Sequence, residues 1–246
     1  MRIIISPAKK MNVNTDILPV KNLPDFLDEA KILSHEIQKL SFEEAKELWR
    51  CNDKLAELNY RRFQDMDLEK SLTPAILAYE GLQYQHMAPE VFSRDAFEYI
   101  EKHLRILSGF YGALGPFDGV TPYRLEMQAK LFVNGRKDLY EYWGDKLYRA
   151  VSDGDHTIFN LASKEYSRAI QKYLSPKDRF ITVEFGEFNA GKVRQKGTFA
   201  KMARGEMVRF MAENQVQNRE ELQTFHGLGL KYSAELSEAG KMVFLL

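Results

Sequence analysis

Apolar and polar positions along the chain fall into strand-like and helix-like runs that alternate. Ile3-Ile4-Ile5 is a continuous apolar run stopped by Pro7, which predicts a short buried strand. Asn22-Leu23-Pro24 then opens a helix through Phe26, Leu27, Ala30, Leu33 and Ile37, with proline tolerated at the first helical position. Ser41-Phe42-Glu43-Glu44 has capping-box spacing, so a helical run is expected from there to about Phe63. Ala75 to Tyr79 reads as a second buried strand, ended by Glu80-Gly81. Ser93 caps a predicted helix through Phe97, Ile100, Leu104 and Leu107.

Glycines punctuate the middle, from Gly109 to Gly119. A helix is expected from Asp138 to Val151, then an Asp153-Gly154 turn and a strand over Thr157 to Leu161. Ser163 caps the next helix, through Tyr166, Ile170 and Tyr173. Arg179 to Phe185 alternates apolar and polar residues, and Asn189-Ala190-Gly191 is a hairpin-type turn into Lys192 to Lys196. Phe199 to Val216 predicts a helix, and Met242 to Leu245 a terminal strand. Interleaved strands and helices indicate a mixed α/β (α+β) fold, a mixed β-sheet flanked by helices. With no linker, low-complexity tract or repeat, one compact domain over residues 1–246 is expected.

The 246 residues carry 35 Lys plus Arg against 35 Asp plus Glu, a net charge of zero, which excludes a generally sticky cation but not a local basic patch. Acids concentrate early, from Asp25 to Glu47, and bases late, from Lys192 to Arg209. The single cysteine, Cys51, has no intrachain partner and reads as a buried structural thiol in a reducing compartment. The N-terminal apolar run is too short for a signal-peptide core, and no run suffices for a membrane helix, so a soluble, cytoplasmic protein is expected. The five histidines are scattered, without a metal-ligand spacing, and neither a Walker A sequence nor a Gly-x-Ser-x-Gly elbow occurs. No metal and no cofactor are therefore expected.

Three segments carry chemistry. Ser6-Pro7-Ala8-Lys9-Lys10 follows the first strand, where open sheets bind ligands beyond the carboxyl ends of strands. If Thr157–Leu161 is a parallel neighbour, Lys9, Asn160 and Ser163 share one cleft; otherwise Lys9 is solvated and Ser163 simply caps a helix. In the second segment, Arg105 to Met127, two apolar stretches meet at a Gly109-to-Gly112 turn, which suits a helix-hairpin-helix whose glycines approach a phosphate. The bland alternative is ordinary helix packing. Asp118, Tyr123, Arg124 and Glu126 follow closely, two acids, a phenol and a guanidinium that form either a site or an ion pair.

The third segment, Lys192 to Arg209, holds six bases against Glu206. At helical spacing Phe199, Met202, Ala203, Met207 and Phe210 turn inward, while Lys201, Arg204 and Gly205 face a ligand or solvent. Glu206 falls in the apolar arc, so it must snorkel or pair with a buried base. Thr224 to Ala234 imitates a DNA-binding glycine motif but reads as a β-turn and hairpin before the last strand.

Together these blocks resemble the peroxide-stress YaaA family, long catalogued without a known function. The matching residues are Ile4-Ile5-Ser6-Pro7-Ala8-Lys9, Asp53-Lys54-Leu55-Ala56, Leu104-Arg105-x-Leu107-Ser108-Gly109-x-Tyr111-Gly112, Pro116-x-Asp118, Pro122-Tyr123-Arg124-Leu125-Glu126-Met127, Trp143-Gly144-Asp145, Asn160-Leu161-Ala162-Ser163-x-Glu165-Tyr166 and Ala203-Arg204-Gly205. They span almost the whole chain; Lys10, Glu206 and the tail from Gly227 depart from the pattern. The resemblance implies a role in the hydrogen-peroxide response, limiting damage by unincorporated iron, and double-stranded DNA binding with a helix-hairpin-helix element. On that reading Lys9, Arg105, Arg124, Lys201 and Arg204 meet phosphates, with Gly109, Gly112, Tyr123, Asn160 and Ser163 beside them. The alternative is an enzyme acting on a nucleotide or damaged base, with Lys9 as nucleophile or anion clamp and Asp118 or Glu126 as acid/base.

Overall fold

The computed structural model describes residues 1–14, 16–152 and 156–246. The Asp153-Gly154 turn expected from sequence lies outside the described residues. The main sheet runs in the order Lys231–Tyr232, Lys241–Leu245, Arg179–Asn189, Thr157–Asn160, Arg2–Ile5, Leu104–Ser108, Gly112–Leu114, with Lys192–Arg194 paired to Arg179–Asn189. Neighbours from Lys241–Leu245 through Leu104–Ser108 are parallel, and the outer pairings are antiparallel. The mixed α/β expectation is thus met. Parallel strands covered on both faces need apolar residues at every position, which is why Ile3, Ile4 and Ile5 are all fully buried.

Several local signals act as read. The Ser41–Glu44 capping box forms, with the serine hydroxyl accepting from Glu44 N–H and the glutamate accepting from Ser41 N–H. The Asn189–Gly191 hairpin and the Gly197–Glu213 helix are present. In the Thr224–Ala234 segment, Lys231–Tyr232 forms an edge strand antiparallel to Lys241–Leu245.

Longer helical runs are shorter in the fold. The run expected over 42–63 breaks into Phe42–Trp49 and Asp53–Gln64, because Arg50 turns left-handed (φ 45°) and Asn52 caps a new helix at Leu55 N–H. The 138–151 run breaks at Gly144 (φ 51°) into Leu139–Trp143 and Lys146–Val151.

Two assignments are corrected. Ala75–Ala78 is a helical turn rather than a strand; four apolar residues have no decisive period, and alanine and leucine favour helix. The helix begun at Arg94 ends at His103, and Leu104–Ser108 is a strand. Its apolar spacing suits a helix, but pairing with Ile3, Ile4 and Ile5 wins. Gly109 to Gly112 therefore turns a β-hairpin into Gly112–Leu114, not a pair of helices. The Ser108 hydroxyl accepts the Phe110 and Tyr111 N–H groups to close it.

This topology positions the site. Arg2–Ile5 lies between Leu104–Ser108 on one side and Thr157–Asn160 on the other. The chain thus leaves its first strand in one direction and later returns on the opposite side, which opens a crevice beyond the strands' carboxyl ends.

Candidate functional site: a basic pocket at the sheet's switch point

A pocket of about 500 Å³ occupies that crevice. Its wall begins with Ser6 to Lys10, directly after the first strand. Ser6 Oγ accepts the Ser163 N–H at 2.8 Å and lies 3.2 Å from Ser163 Oγ, tying together the ends of two parallel strands. Ser163 occupies the N-cap of Lys164–Gln171, but its side chain makes no capping bond. Asn160 prepares this turn: its Oδ1 accepts from Ala162 N–H at 3.0 Å and its amide donates to Thr182 Oγ1. It does not line the pocket.

The opposite wall comes from Tyr123 to Glu126. Glu126 Oε1 lies 2.9 Å from Lys9 Nζ and accepts from Arg124 at 3.0 Å. Arg124 is 9% exposed, whereas the Lys9 side chain is 66% exposed. Tyr123 shares hydrogen bonds with Tyr79 and Ser108, and burial pushes its hydroxyl up to about 12. One face of its ring stacks on Phe110 at 4.9 Å.

The third wall is built by helix packing. An added Cβ at Gly205 would lie 2.1 Å from the Gln83 carbonyl oxygen, so glycine lets Gly197–Glu213 press onto Leu82–Met87. Lys201 and Arg204 therefore reach the same pocket as Gln83 and Tyr84. The close approach that Gly205 permits is to the protein's own backbone, not to a ligand. Glu206 finds the base it needs, with His86 Nδ1 at 3.0 Å.

The pocket's lining includes Lys9, Lys10, Arg124, Lys201 and Arg204 against Glu80, Glu126 and Glu165. Glu80 pairs with Lys10. Burial raises the Glu165 pKa above its ordinary value. Three side chains of this lining carry buried donors. Nε of Arg124, Nε of Arg204 and Nε2 of Gln83 are buried without a hydrogen-bond partner in the protein. Burial also depresses the Arg204 pKa.

Of the residues expected from sequence, Lys9, Tyr123, Arg124, Glu126, Ser163, Lys201 and Arg204 all line this pocket. Arg105, Gly109, Gly112 and Asp118 do not line it. Arg105 donates to the Glu101 and Leu104 carbonyls. Gly109 is closed over by the Leu125–Met127 backbone, and Gly112 (φ 78°) by Phe26 and Trp143, so both glycines serve internal packing. Asp118 accepts from Gly115 N–H at 2.7 Å inside its own turn. Gln83, Tyr84, Glu165 and Tyr166 were not singled out, although Glu165-Tyr166 lies within a block that carries the resemblance.

Among the described residues no group of three or more His, Cys, Asp or Glu can hold a metal, and no helix is long and apolar enough to cross a membrane.

A family model described as peroxide stress protein YaaA matches residues 1–236. The chain belongs to that family. A UPF0246 protein of Agathobacter rectalis is 55% identical over 244 residues, covering 99% of this chain and 98% of the relative. UPF0246 proteins of Desulfitobacterium hafniense and Lachnoclostridium phytofermentans are each 54% identical, covering 100% of this chain and 98% and 96% of those proteins. YaaA-family membership is thus carried by the whole length, including each segment that lines the pocket.

Proposed function

We propose that this YaaA-family protein acts in the peroxide response by binding double-stranded DNA along the basic rim of the pocket. The carrying observation is the exposed lysines Lys9, Lys10 and Lys201 at the mouth of a crevice whose lining is rich in cations. Lysine side chains meet phosphates as point charges without reading sequence, so the binding is sequence-tolerant. Three such contacts give a salt slope of roughly −2.7, about a 40-fold loss of affinity between about 50 and 200 mM salt. Fluorescence anisotropy of a paired duplex across that range tests the reading. Affinity that ignores salt would refute it.

A second reading is favoured by the 2.9 Å contact of Lys9 with Glu126 beside the shielded Arg124. It is an enzyme acting on a nucleotide or damaged base, Lys9 serving as nucleophile or anion clamp and Glu126 as acid/base. Asp118 does not line the pocket and is held by Gly115 N–H within its own turn, which leaves the acid/base role to Glu126. Glu126→Gln should then abolish turnover of nucleotide or damaged-base substrates while duplex affinity persists; a parent chain that turns over none of these substrates refutes it.

A further inference from the structure

The rim and the floor of the pocket differ in what can reach them. A paired duplex presents phosphates on a convex cylinder, which meets exposed lysines but not groups set below the surface. Gln83 is 6% and Arg124 9% exposed. Their unpartnered donors, with Arg204 Nε, all belong to residues lining the same pocket. Buried donors left unmade cost about 1–3 kcal/mol each, so groups of this kind have an explanation beyond packing. All three are N–H groups, and two belong to guanidiniums, which bind phosphate oxygens more strongly than neutral donors do. The helix Lys164–Gln171 starts at the same wall with no side-chain cap on its first turn. An anion at a helix N-terminus is stabilised by its amides and dipole.

The rest of the lining joins the apolar and aromatic Pro7, Leu82, Tyr84 and Tyr166 to lysines and to Glu80, Glu126 and Glu165, of which Glu80 and Glu126 are ion-paired within the protein. A volume of about 500 Å³ matches a compact ligand rather than a polymer. We infer that the pocket floor binds a single phosphorylated nucleoside, its phosphate facing Arg124, Arg204 and Gln83 and its base against the aromatic wall. The inference rests on the proposed function only in taking this pocket as the anion-binding site. The nucleotide has two sources with the same chemistry: a free mononucleotide, or one unpaired nucleotide displaced from a DNA strand.

The full chain is titrated with adenosine 5′-monophosphate, with adenosine as control, and with a duplex carrying one bulged 2-aminopurine nucleotide. The expected result is saturable calorimetric binding of the monophosphate, at least tenfold tighter than adenosine, or a 2-aminopurine fluorescence change from the bulge. The first arm identifies a free nucleotide and the second a strand-borne one. Gln83→Glu and Arg204→Gln should weaken that binding tenfold or more. A readout independent of mutation is the Gln83 side-chain amide resonance, which should shift on saturation. Monophosphate and bulge that bind no better than adenosine and paired duplex overturn the inference while leaving rim binding intact. Nucleotide binding that neither moves the Gln83 signal nor responds to the variants also overturns it. Mononucleotide uptake without paired-duplex binding upholds it and removes the DNA reading instead.

Discussion

Asp118→Asn isolates the cost of one buried charge. The carboxyl is 7% exposed and accepts the Gly115 N–H at 2.7 Å, while the Asp118 backbone carbonyl accepts from Ala75 N–H. Burial pushes its pKa from 3.8 up to about 7; the Gly115 bond and Arg105 oppose the rise, and Asp25 reinforces it. A folded-state value above the unfolded one means that the native protein holds this proton more tightly. The resulting stabilisation is complete below pH 3.8 and is lost as pH rises through about 7. Roughly three units at about 1.4 kcal/mol each set a ceiling of about 4 kcal/mol. Asparagine keeps the shape and the acceptor oxygen but never ionises. The variant should therefore match the parent near pH 4 and exceed it by up to about 4 kcal/mol near pH 8. Urea unfolding of both proteins across that range measures the effect, and taking their difference cancels other titrations. A difference independent of pH, or a parent that is the more stable at high pH, would show that Arg105 and the local amides hold the charge without cost.

Three further outcomes follow from the packing. Gly205→Ala drives a methyl group into the Gln83 carbonyl; overpacking of about 1–3 kcal/mol outweighs the roughly 1 kcal/mol gain in helix propensity, and a lowered urea midpoint checks it. Lys9→Ala, at an exposed side chain, should change stability by no more than about 0.5 kcal/mol, whereas Glu126→Gln leaves the shielded Arg124 guanidinium without its counter-charge and should cost about 3 kcal/mol. Cys51 is partly rather than fully buried, contrary to expectation, and burial pushes its thiol up; it should react with maleimide more slowly than free cysteine at neutral pH. Cys51→Ser should keep the fold, read by circular dichroism.

How far the sequence was legible depended on the range of the signal. The Ile3–Ile5 run, the Ser41 box and the Asn189–Gly191 turn are local, and each forms as read. Leu104–Ser108 failed because its helical spacing was outweighed by pairing with residues about a hundred positions earlier. At the site, Lys9, Ser163 and Arg124 were legible since strand ends and clustered charges announce themselves along the chain. Gly109 and Gly112 misled because a glycine shows that something approaches closely, not what approaches: here Leu125, Phe26 and Trp143. Gln83 was silent, its place set by a helix crossing at Gly205 with no sequence marker of its own.

The zero net charge takes on a different meaning once charges are located. Bases on the Gly197–Glu213 helix are paired in part, as with Arg209 and Glu213, whereas Arg204 on the same helix lines the pocket and keeps a buried Nε without a hydrogen-bond partner. Three orphan donors at about 1–3 kcal/mol each are a large fraction of a typical stability of about 5–15 kcal/mol. Packing alone gives no reason to retain them: a leucine in place of Gln83 would remove one such cost. All three belong to residues that line one pocket with Ser163, which separates them from the solvated bases elsewhere. Charge neutrality keeps the molecule from adhering to every polyanion, and the burial of these donors restricts the floor to a ligand small enough to enter and rich enough in acceptors to satisfy them.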